Sequence, residues 1–173
     1  VSDIGLVSLS TTLATNSLVE KKGTDPGVVL IGFSDDMEKR SHLKDLVSQE
    51  RILRIPGGHR YDGSEKNPLN LEKLRRFLET SGKSLKNFAV ASNYSVRNSE
   101  HEILAGELIE QVTRGRVSLS SSLTCDRNSP RRAYSATLNA KIQALMEDLV
   151  EAVKRAMAEL KLEVPLMMVK SDG

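Results

Sequence analysis

The sequence predicts an α/β fold in which a mostly parallel sheet is flanked by helices. Short runs rich in β-branched and aliphatic residues alternate with helical patterns along the whole chain. Parallel neighbours need crossover connections, which the intervening helices supply. At 173 residues, 39% of them hydrophobic, the chain is long enough to build one core without disulfides. We therefore expect residues 1–173 to form a single α/β domain.

The predicted elements follow from hydrophobic periodicity. Strands are expected at residues 3–9, 28–33, 52–55, 88–91, 117–119 and 166–169. Helices are expected at residues 12–22, 37–49, 71–80, 100–113 and 130–160. The last helix is the longest, and we expect it to lie along the core through apolar residues spaced three and four apart: Leu138, Ile142, Leu145, Leu149, Val153, Ala156 and Leu160.

Capping residues set several of these boundaries. Ser99 and Glu102 have the spacing of a capping box, and Ser129 before Pro130 is a favourable helix start. Gly23, Gly82 and Gly115 each follow a helical pattern and suit a left-handed helix end. Residues 56–63 contain a proline and three glycines, and this segment is predicted to be an exposed loop or hairpin.

Composition excludes several classes of function. The 25 basic and 23 acidic residues leave a net charge of +2, and six aromatic residues without tryptophan offer no base-stacking platform, so we expect no nucleic-acid partner. Apolar runs are far shorter than the roughly 20 residues of a membrane span, so no membrane association is expected. A single cysteine, Cys125, gives no sign of an oxidising compartment and favours the cytoplasm.

Common catalytic motifs are incomplete in this chain. Gly58 and Gly63 have the spacing of a phosphate-binding P-loop, but Ser64 follows where the motif needs lysine. His101 begins a zinc-protease motif whose second histidine is replaced by Ala105. We therefore expect no resident metal site. Cys125 lacks a partner base in the sequence, so a structural or incidental role is favoured over an activated thiolate.

Two polar segments are candidate binding sites. Hydroxyl and amide groups gather where the first strand passes into a helix, at Thr11, Thr12, Thr15 and Asn16; they form either an anion site or an ordinary helix cap. Three arginines stand at the start of the longest helix, where cations oppose the helix dipole: Arg127, Arg131 and Arg132. These arginines face either an anion, the carboxylates of a partner, or water.

Five strings in register give the chain a family resemblance. They are STTLATN (10–16) with EKKG (20–23), GGH (57–59), RNSEHE (97–102), RR (131–132) leading to LNA (138–140), and PLMMVKSDG (165–173). Together they resemble the hydantoinase A/oxoprolinase family. The resemblance implies a relative of the actin-like, ribonuclease H-like ATPases. It also implies an enzyme that uses ATP and magnesium to open cyclic amides such as hydantoins or 5-oxoproline through a phosphorylated intermediate.

The resemblance also implies roles for particular residues. Thr11, Thr12, Thr15 and Asn16 would line the active cleft, and Lys170, Asp172 and Gly173 would lie near the nucleotide. His59 is either a catalytic acid or base, since its ordinary pKa is near neutrality, or an incidental loop histidine. The family pattern often has a histidine shortly before the paired threonines, whereas this chain has Val7, Ser8 and Leu9, which leaves the substrate open.

The resemblance leaves the role of this segment open. The chain begins with Val1, and Asp3-Ile4-Gly5 lacks the glycine-rich continuation of an ATPase phosphate loop, so we expect an internal fragment that is inactive alone. Family members often work with a second subunit, and this segment could instead be a scaffold or a docking module. Related carboxylases act on ketones, which gives a third possibility, a ketone carboxylase subunit.

Overall fold

The computed structural model describes residues 4–10 and 25–169, apart from the side chain of Ser10. In chain order the elements are β1 (Val7–Ser10), β2 (Gly27–Ile31), α1 (Asp35–Arg40), β3 (Ile52–Ile55), α2 (Leu71–Glu79), β4 (Asn87–Ser92), α3 (Glu100–Thr113), β5 (Arg116–Leu119), α4 (Ser120–Leu123), α5 (Ser129–Glu159) and β6 (Leu166–Val169). Single 3₁₀ turns lie at Leu43–Asp45 and Gln49–Arg51.

The chain divides into two compact units. One comprises Asp25–Lys141, and the other combines Val1–Thr24 with Ile142–Gly173. In the second unit β1 pairs in parallel with β6, with Val7 opposite Leu166. This division is finer than the single domain expected from the sequence, and the number of independently folding domains stays a prediction.

The larger unit is built on a four-stranded parallel sheet of order β3-β2-β4-β5. Its central strands, β2 and β4, are buried along their whole length, as strands with both faces covered must be. One face packs Val29 and Val90 against apolar residues of α2 and α3, including Leu74 and Ile109. The opposite face packs Val28, Leu30 and Ala91 around Leu43, Val47 and Ala133. The predicted α/β class with a mostly parallel sheet is confirmed.

Agreement with the predicted elements is uneven. β3, α3 and β6 have the predicted bounds. The predicted helix over residues 37–49 is wrong, because α1 ends at Arg40. There the hydroxyl of Ser41 donates to the carbonyl of Glu38 at 2.5 Å, and His42 takes a left-handed conformation with φ of 54°. The helix predicted over residues 12–22 lies outside the described residues.

Several predicted caps are replaced by neighbouring residues. Ser99 makes no side-chain capping bond at the start of α3, so the capping box is wrong. The amide of Arg131 donates to Oδ1 of Asn128 at 3.1 Å, so Asn128 caps α5 instead of Ser129. Arg114, with φ of 55°, takes the left-handed position at the end of α3. Gly82 and Gly115 are not left-handed, and Gly23 lies outside the described residues.

The buried face of α5 in the larger unit consists of small residues. Ala136 and Ala140 pack against Ala89 of β4 and are fully buried, whereas Leu138 is only half-buried. Farther along, Leu160 is exposed. The predicted apolar residues spaced three and four apart therefore do not form the face of α5 that packs on the sheet. Close contact between this helix and the sheet requires small side chains such as alanine.

The segment 56–63 is only partly exposed, in contrast to its predicted exposure. Gly57, Gly58 and His59 are buried, while the segment from Arg60 to Asp62 is exposed. Gly32 and Gly57 have φ of 70° and 142°, which allows their backbones to approach closely. A Cβ at Gly32 would lie 2.6 Å from the carbonyl oxygen of Gly57. Glycine at this position therefore permits the loop after β3 to lie over the end of β2.

Gly32→Ala should lower the free energy of unfolding by about 2 to 4 kcal/mol, because it combines left-handed strain with a backbone overlap. Urea unfolding followed by circular dichroism measures the change. Gly5→Ala is the matched control, since a Cβ there meets no atom within 4 Å, and it should change stability by less than about 0.5 kcal/mol. Equal unfolding midpoints for the two variants would contradict the close approach.

Candidate functional site at the carboxyl edge of the sheet

The carboxyl edge of the parallel sheet gathers the loops that follow β2, β3 and β4. The amide of Gly32 donates to the carbonyl of Ile55 at 3.0 Å, and the amide of Asn93 donates to the carbonyl of Ile31 at 3.0 Å. The amide of His59 donates to the carbonyl of Asn93 at 3.2 Å. Chain order reverses between β2 and β4, and open α/β sheets bind ligands outside such a switch point. In this chain the loop after β3 covers that position.

Two buried histidines lie at this edge. The rings of His59 and His101 are 4.3 Å apart between centroids, with a tilt of 41° between their planes. The amide of Gly58 donates to Nδ1 of His101 at 2.9 Å, and Nε2 of His101 lies 3.1 Å from Oε1 of Glu65. Since Nδ1 accepts, the proton of a neutral His101 is assigned to Nε2, which donates to the half-exposed Glu65 carboxylate.

His59 lacks hydrogen-bond partners although it is only 1% exposed. Neither Nδ1 nor Nε2 of its ring has a partner within the described part of the chain. Burial lowers the pKa of His59 below its ordinary value of 6.5, and the neighbouring His101 lowers it further, against smaller opposing effects of Glu100 and Glu65. His59 is therefore neutral at pH 7, with an unpaired ring nitrogen that can accept a proton.

A buried carboxylate organises the end of β4. Glu102, in the first turn of α3, is fully buried. Its Oε1 accepts from the amide of Ser92 and the hydroxyl of Ser120, each at 2.7 Å, and its Oε2 accepts from the amide of Ser121 at 2.9 Å. One carboxylate thus pairs with donors from β4 and from the start of α4, whose first amides have no partner within the helix.

A buried guanidinium pairs with acceptors of the same region. Arg132 is 0% exposed. Its Nη2 donates to the carbonyl of Ser92 at 2.8 Å, its Nη1 donates to the carbonyl of Asp126 at 2.7 Å, and its Nε donates to the hydroxyl of Ser120 at 3.3 Å. Further bonds from Nη2 reach the hydroxyls of Ser95 and Ser129. Burial lowers the pKa of Arg132, while Glu102 and Asp126 act in the opposite direction.

The three arginines predicted to face an anion or a partner therefore separate. Arg132 is turned inward and is used within the chain, which corrects its expected placement at the surface. Arg131 is exposed, and its Nη1 lies 3.3 Å from Oδ2 of Asp126. Arg127 is exposed and lines a cavity beside the ends of β4 and β5. Of these three arginines, Arg127 and Arg131 remain available to an external anion.

That cavity has a volume of about 510 Å³. Its polar lining includes Arg97, Ser99 and Ser121, and Ile103 and Leu119 contribute apolar surface. The thiol of Cys125 also lines it and is free. Within residues 4–10 and 25–169, no cluster of three or more histidine, cysteine, aspartate or glutamate side chains is suited to hold a metal ion.

The remaining predicted site residues lie outside the part of the chain that the structure describes. They are Thr11, Thr12, Thr15, Asn16, Lys170, Asp172 and Gly173. The sequence did not single out Glu102 or Arg132 as partners in one network. The sequence nevertheless contains a signal that Arg132 is buried. Residues four apart share one helix face, and Arg132 shares its face with three alanines: Ala136, Ala140 and Ala144.

His59→Leu should remove a pH dependence of stability between pH 7.5 and 5.5. Because the pKa of His59 is lowered in the folded chain, the unfolded chain binds the proton more readily below pH 6.5. The contribution of a neutral His59 is therefore fully present above pH 6.5 and is lost as the pH falls. This loss is at most about 1.4 kcal/mol at pH 5.5.

Urea unfolding at several pH values measures this slope. His42→Asn is the control for replacement of a histidine, because His42 is exposed and its left-handed backbone suits asparagine. A slope that is unchanged by His59→Leu would show that His59 does not titrate as described.

No helix within the described residues has the length and apolarity needed to cross a membrane.

The family model for the hydantoinase/oxoprolinase N-terminal region matches residues 1–113. The alpha subunit of caprolactamase from Pseudomonas jessenii is 27% identical over 196 residues, which covers 100% of this chain and 27% of that protein.

Two solved structures share the fold. ATP-dependent caprolactamase from Pseudomonas jessenii matches with a TM-score of 0.70 and 19% identity over 90% of this chain and 25% of that one. Nucleotide-free acetone carboxylase matches with a TM-score of 0.66 and 18% identity over the same shares. The chain spans about a quarter of the length of these relatives. Because the family model covers 113 of its 173 residues, this chain belongs to the hydantoinase/oxoprolinase family.

Proposed function

We propose that this chain is part of an ATP-dependent enzyme that opens a cyclic amide. The family match over residues 1–113 carries the proposal. The similarity to a caprolactamase subunit over the whole chain supports it, since that relative is named for a cyclic amide. Hydantoins and 5-oxoproline are the substrates that the sequence resemblance predicts. The chain covers about a quarter of its relatives, so we expect the 173 residues to be inactive alone.

The chemistry explains why ATP is needed. A ring amide is resonance-stabilised and reacts poorly with water. Transfer of the γ-phosphoryl group of ATP to its carbonyl oxygen creates a better leaving group, and ADP is released. Water then adds to the carbonyl carbon, and the ring C–N bond breaks as the nitrogen takes up a proton, which leaves an acyl phosphate. A second water hydrolyses the acyl phosphate to the carboxylate and inorganic phosphate. Such a site needs donors for phosphate oxygens, a magnesium ion and a base.

The described residues contain neither a preformed metal cluster nor a P-loop. Residues 4–10 and 25–169 hold no cluster of three metal-ligating side chains, and the glycine loop after β3 lacks the lysine of a P-loop. We place the nucleotide with other parts of the longer polypeptide and with residues beyond those described. Thr11, Thr12, Thr15 and Asn16 are proposed to line the cleft, and Lys170, Asp172 and Gly173 to lie near the nucleotide.

His59 is proposed to act as an acid or base of this enzyme. Its neutral form at pH 7 and its two unpaired ring nitrogens support this role. Since the ring is 1% exposed, substrate or an intervening water could reach it only after the loop that follows β3 moves. The predicted pH dependence of stability tests the buried state of His59, and the pH profile of the rate tests its chemical role.

Two other functions remain candidates. The shared fold with acetone carboxylase favours a ketone carboxylase subunit, which bicarbonate dependence of ATP hydrolysis would reveal. Exposed Arg127 and Arg131 favour a docking module for a second subunit. If Arg131→Glu prevents subunit association while Thr12→Ala leaves catalysis unchanged, the docking role accounts for this segment.

In the full-length protein, cyclic amides should stimulate ATP hydrolysis, and Thr12→Ala should reduce the stimulated rate at least about 100-fold, as expected for loss of a group that positions the transferred phosphoryl. Release of phosphate is measured with hydantoin, 5-oxoproline, caprolactam and acetone as separate additions. The isolated 173-residue chain should show no stimulated hydrolysis.

Thr80→Ala serves as the control for this experiment. Thr80 is exposed at the end of α2, and among the residues that the structure describes its hydroxyl bonds only to carbonyls of that helix, so full activity is expected. Hydrolysis that no cyclic amide stimulates would contradict the proposed reaction. Stimulation by acetone that requires bicarbonate would establish the carboxylase instead.

A further inference from the structure

The outer edge of β3 is unpaired within the described residues. β3 is the terminal strand of the four-stranded sheet, and its other edge pairs with β2. The carbonyl of Ile55 accepts from Gly32 beyond the end of β2. Since successive residues of a strand direct their backbone groups to opposite edges, Arg54 directs its amide and carbonyl to the free edge. Such an edge is a template for another strand.

A groove of about 1040 Å³ runs along this edge. Its lining includes the residues of β3 from Ile52 to Ile55, residues of α1 on one side, and Lys73 of α2 on the other. An added strand would therefore lie between two helices, in the layer already occupied by the sheet. The volume and the position of the groove suit an extended polypeptide segment.

The groove has a surplus of positive charge. The carboxylates Asp35 and Glu38 both pair with the guanidinium of Arg54, with 2.9 Å between Arg54 Nε and Glu38 Oε2. Four lysines line the groove, and within the described residues none has a side-chain partner: Lys39, Lys44, Lys66 and Lys73. Lys39 and Lys44 belong to the α1 side, and Lys66 and Lys73 belong to the α2 side. Carboxylates are therefore favoured on both faces of an added strand.

We propose that the free edge of β3 binds an acidic, extended segment of a separate protein, which adds a fifth strand to the sheet. The backbone of the segment would bond to the amide and carbonyl of Arg54, and its acidic side chains would contact the four lysines. Strand addition supplies affinity through main-chain bonds, and the side-chain contacts supply specificity.

Other occupants fit this surface less well. A second copy of the chain that paired through the same edge would bring the lysines of both copies together, which opposes association. A nucleic acid would satisfy the lysines but offers no continuous row of amide donors and carbonyl acceptors along β3. Charge complementarity together with the free backbone edge therefore favours an acidic polypeptide.

The test uses the full-length protein and a labelled peptide, Glu-Val-Glu-Glu-Val-Glu-Glu, whose seven residues span about 23 Å when extended. Binding is followed by fluorescence anisotropy at low and high salt. The same peptide with every internal amide N-methylated keeps its side-chain charges but has no backbone N–H to donate from either edge. We expect the unmodified peptide to bind at least about tenfold more tightly, and Arg54 amide exchange to slow on binding.

Charge reversal tests the lysines. Lys44→Glu with Lys66→Glu should weaken binding of the unmodified peptide at least about tenfold. The control pair is Lys83→Glu with Lys86→Glu, which are exposed outside the groove and should leave affinity unchanged.

Four outcomes would overturn the proposal. Equal affinity of the N-methylated peptide would reduce the site to charge attraction, and tighter binding of a single-stranded oligonucleotide would assign a nucleic acid. Self-association of the chain that slows exchange of the Arg54 amide would assign a second copy. Absence of binding, with the Arg54 amide already protected in the free full-length protein, would show that the remaining polypeptide covers the edge.

Discussion

The buried carboxylate of Glu102 and the buried guanidinium of Arg132 supply complementary partners for the end of β4. The carboxylate accepts from the amide of Ser92, while the guanidinium donates to the carbonyl of the same residue. Both also bond to the hydroxyl of Ser120, which donates to Glu102 and accepts from Arg132. Burying either charge without its partner groups would be costly, so α3, α4 and the start of α5 must meet at this point.

The network ties together elements at the carboxyl edge of the sheet, beside a loop whose path depends on glycine conformations. Gly32 and Gly57 allow the loop after β3 to lie over the end of β2, and the amide of Gly58 bonds to His101. His59 is thereby buried, and its imidazole has no hydrogen-bond partner among the described residues. In the proposed role in cyclic amide chemistry, substrate or water would supply the partner that this imidazole lacks.

Much of the fold could be predicted from the sequence, because its elements depend on local periodicity. The apolar strands and the bounds of α3 follow from hydrophobic patterning. Helix ends were harder to predict. Asn128 caps the start of α5 and Arg114 caps the end of α3, although the neighbouring Ser129 and Gly115 would also suit these positions. Tertiary contacts decide which of two neighbouring residues forms the cap, and a short stretch of sequence does not reveal these contacts.

The candidate site was less predictable, for a physical reason. Glu102 has the spacing of a capping box, yet its carboxylate accepts hydrogen bonds from the amides of Ser92 in β4 and Ser121 in α4. Both residues belong to other elements than the helix that contains Glu102. In the sequence Arg132 resembles a surface cation. It lies, however, on the same face of α5 as the buried residues Ala136 and Ala140. His59 is a candidate from the sequence, but its burial could not be predicted. The burial depends on how the surrounding loop packs, and a segment rich in glycine and proline predicts an exposed loop.

A double-mutant cycle on Glu102→Gln and Arg132→Met tests most directly whether one network holds the carboxyl edge together. The free energies of unfolding of both single variants and the double variant are measured by urea denaturation. Because the two side chains share Ser120 and the backbone of Ser92, their effects should be coupled by at least about 1 kcal/mol, with the double variant less destabilised than the sum. Additivity to within about 0.3 kcal/mol would contradict the account.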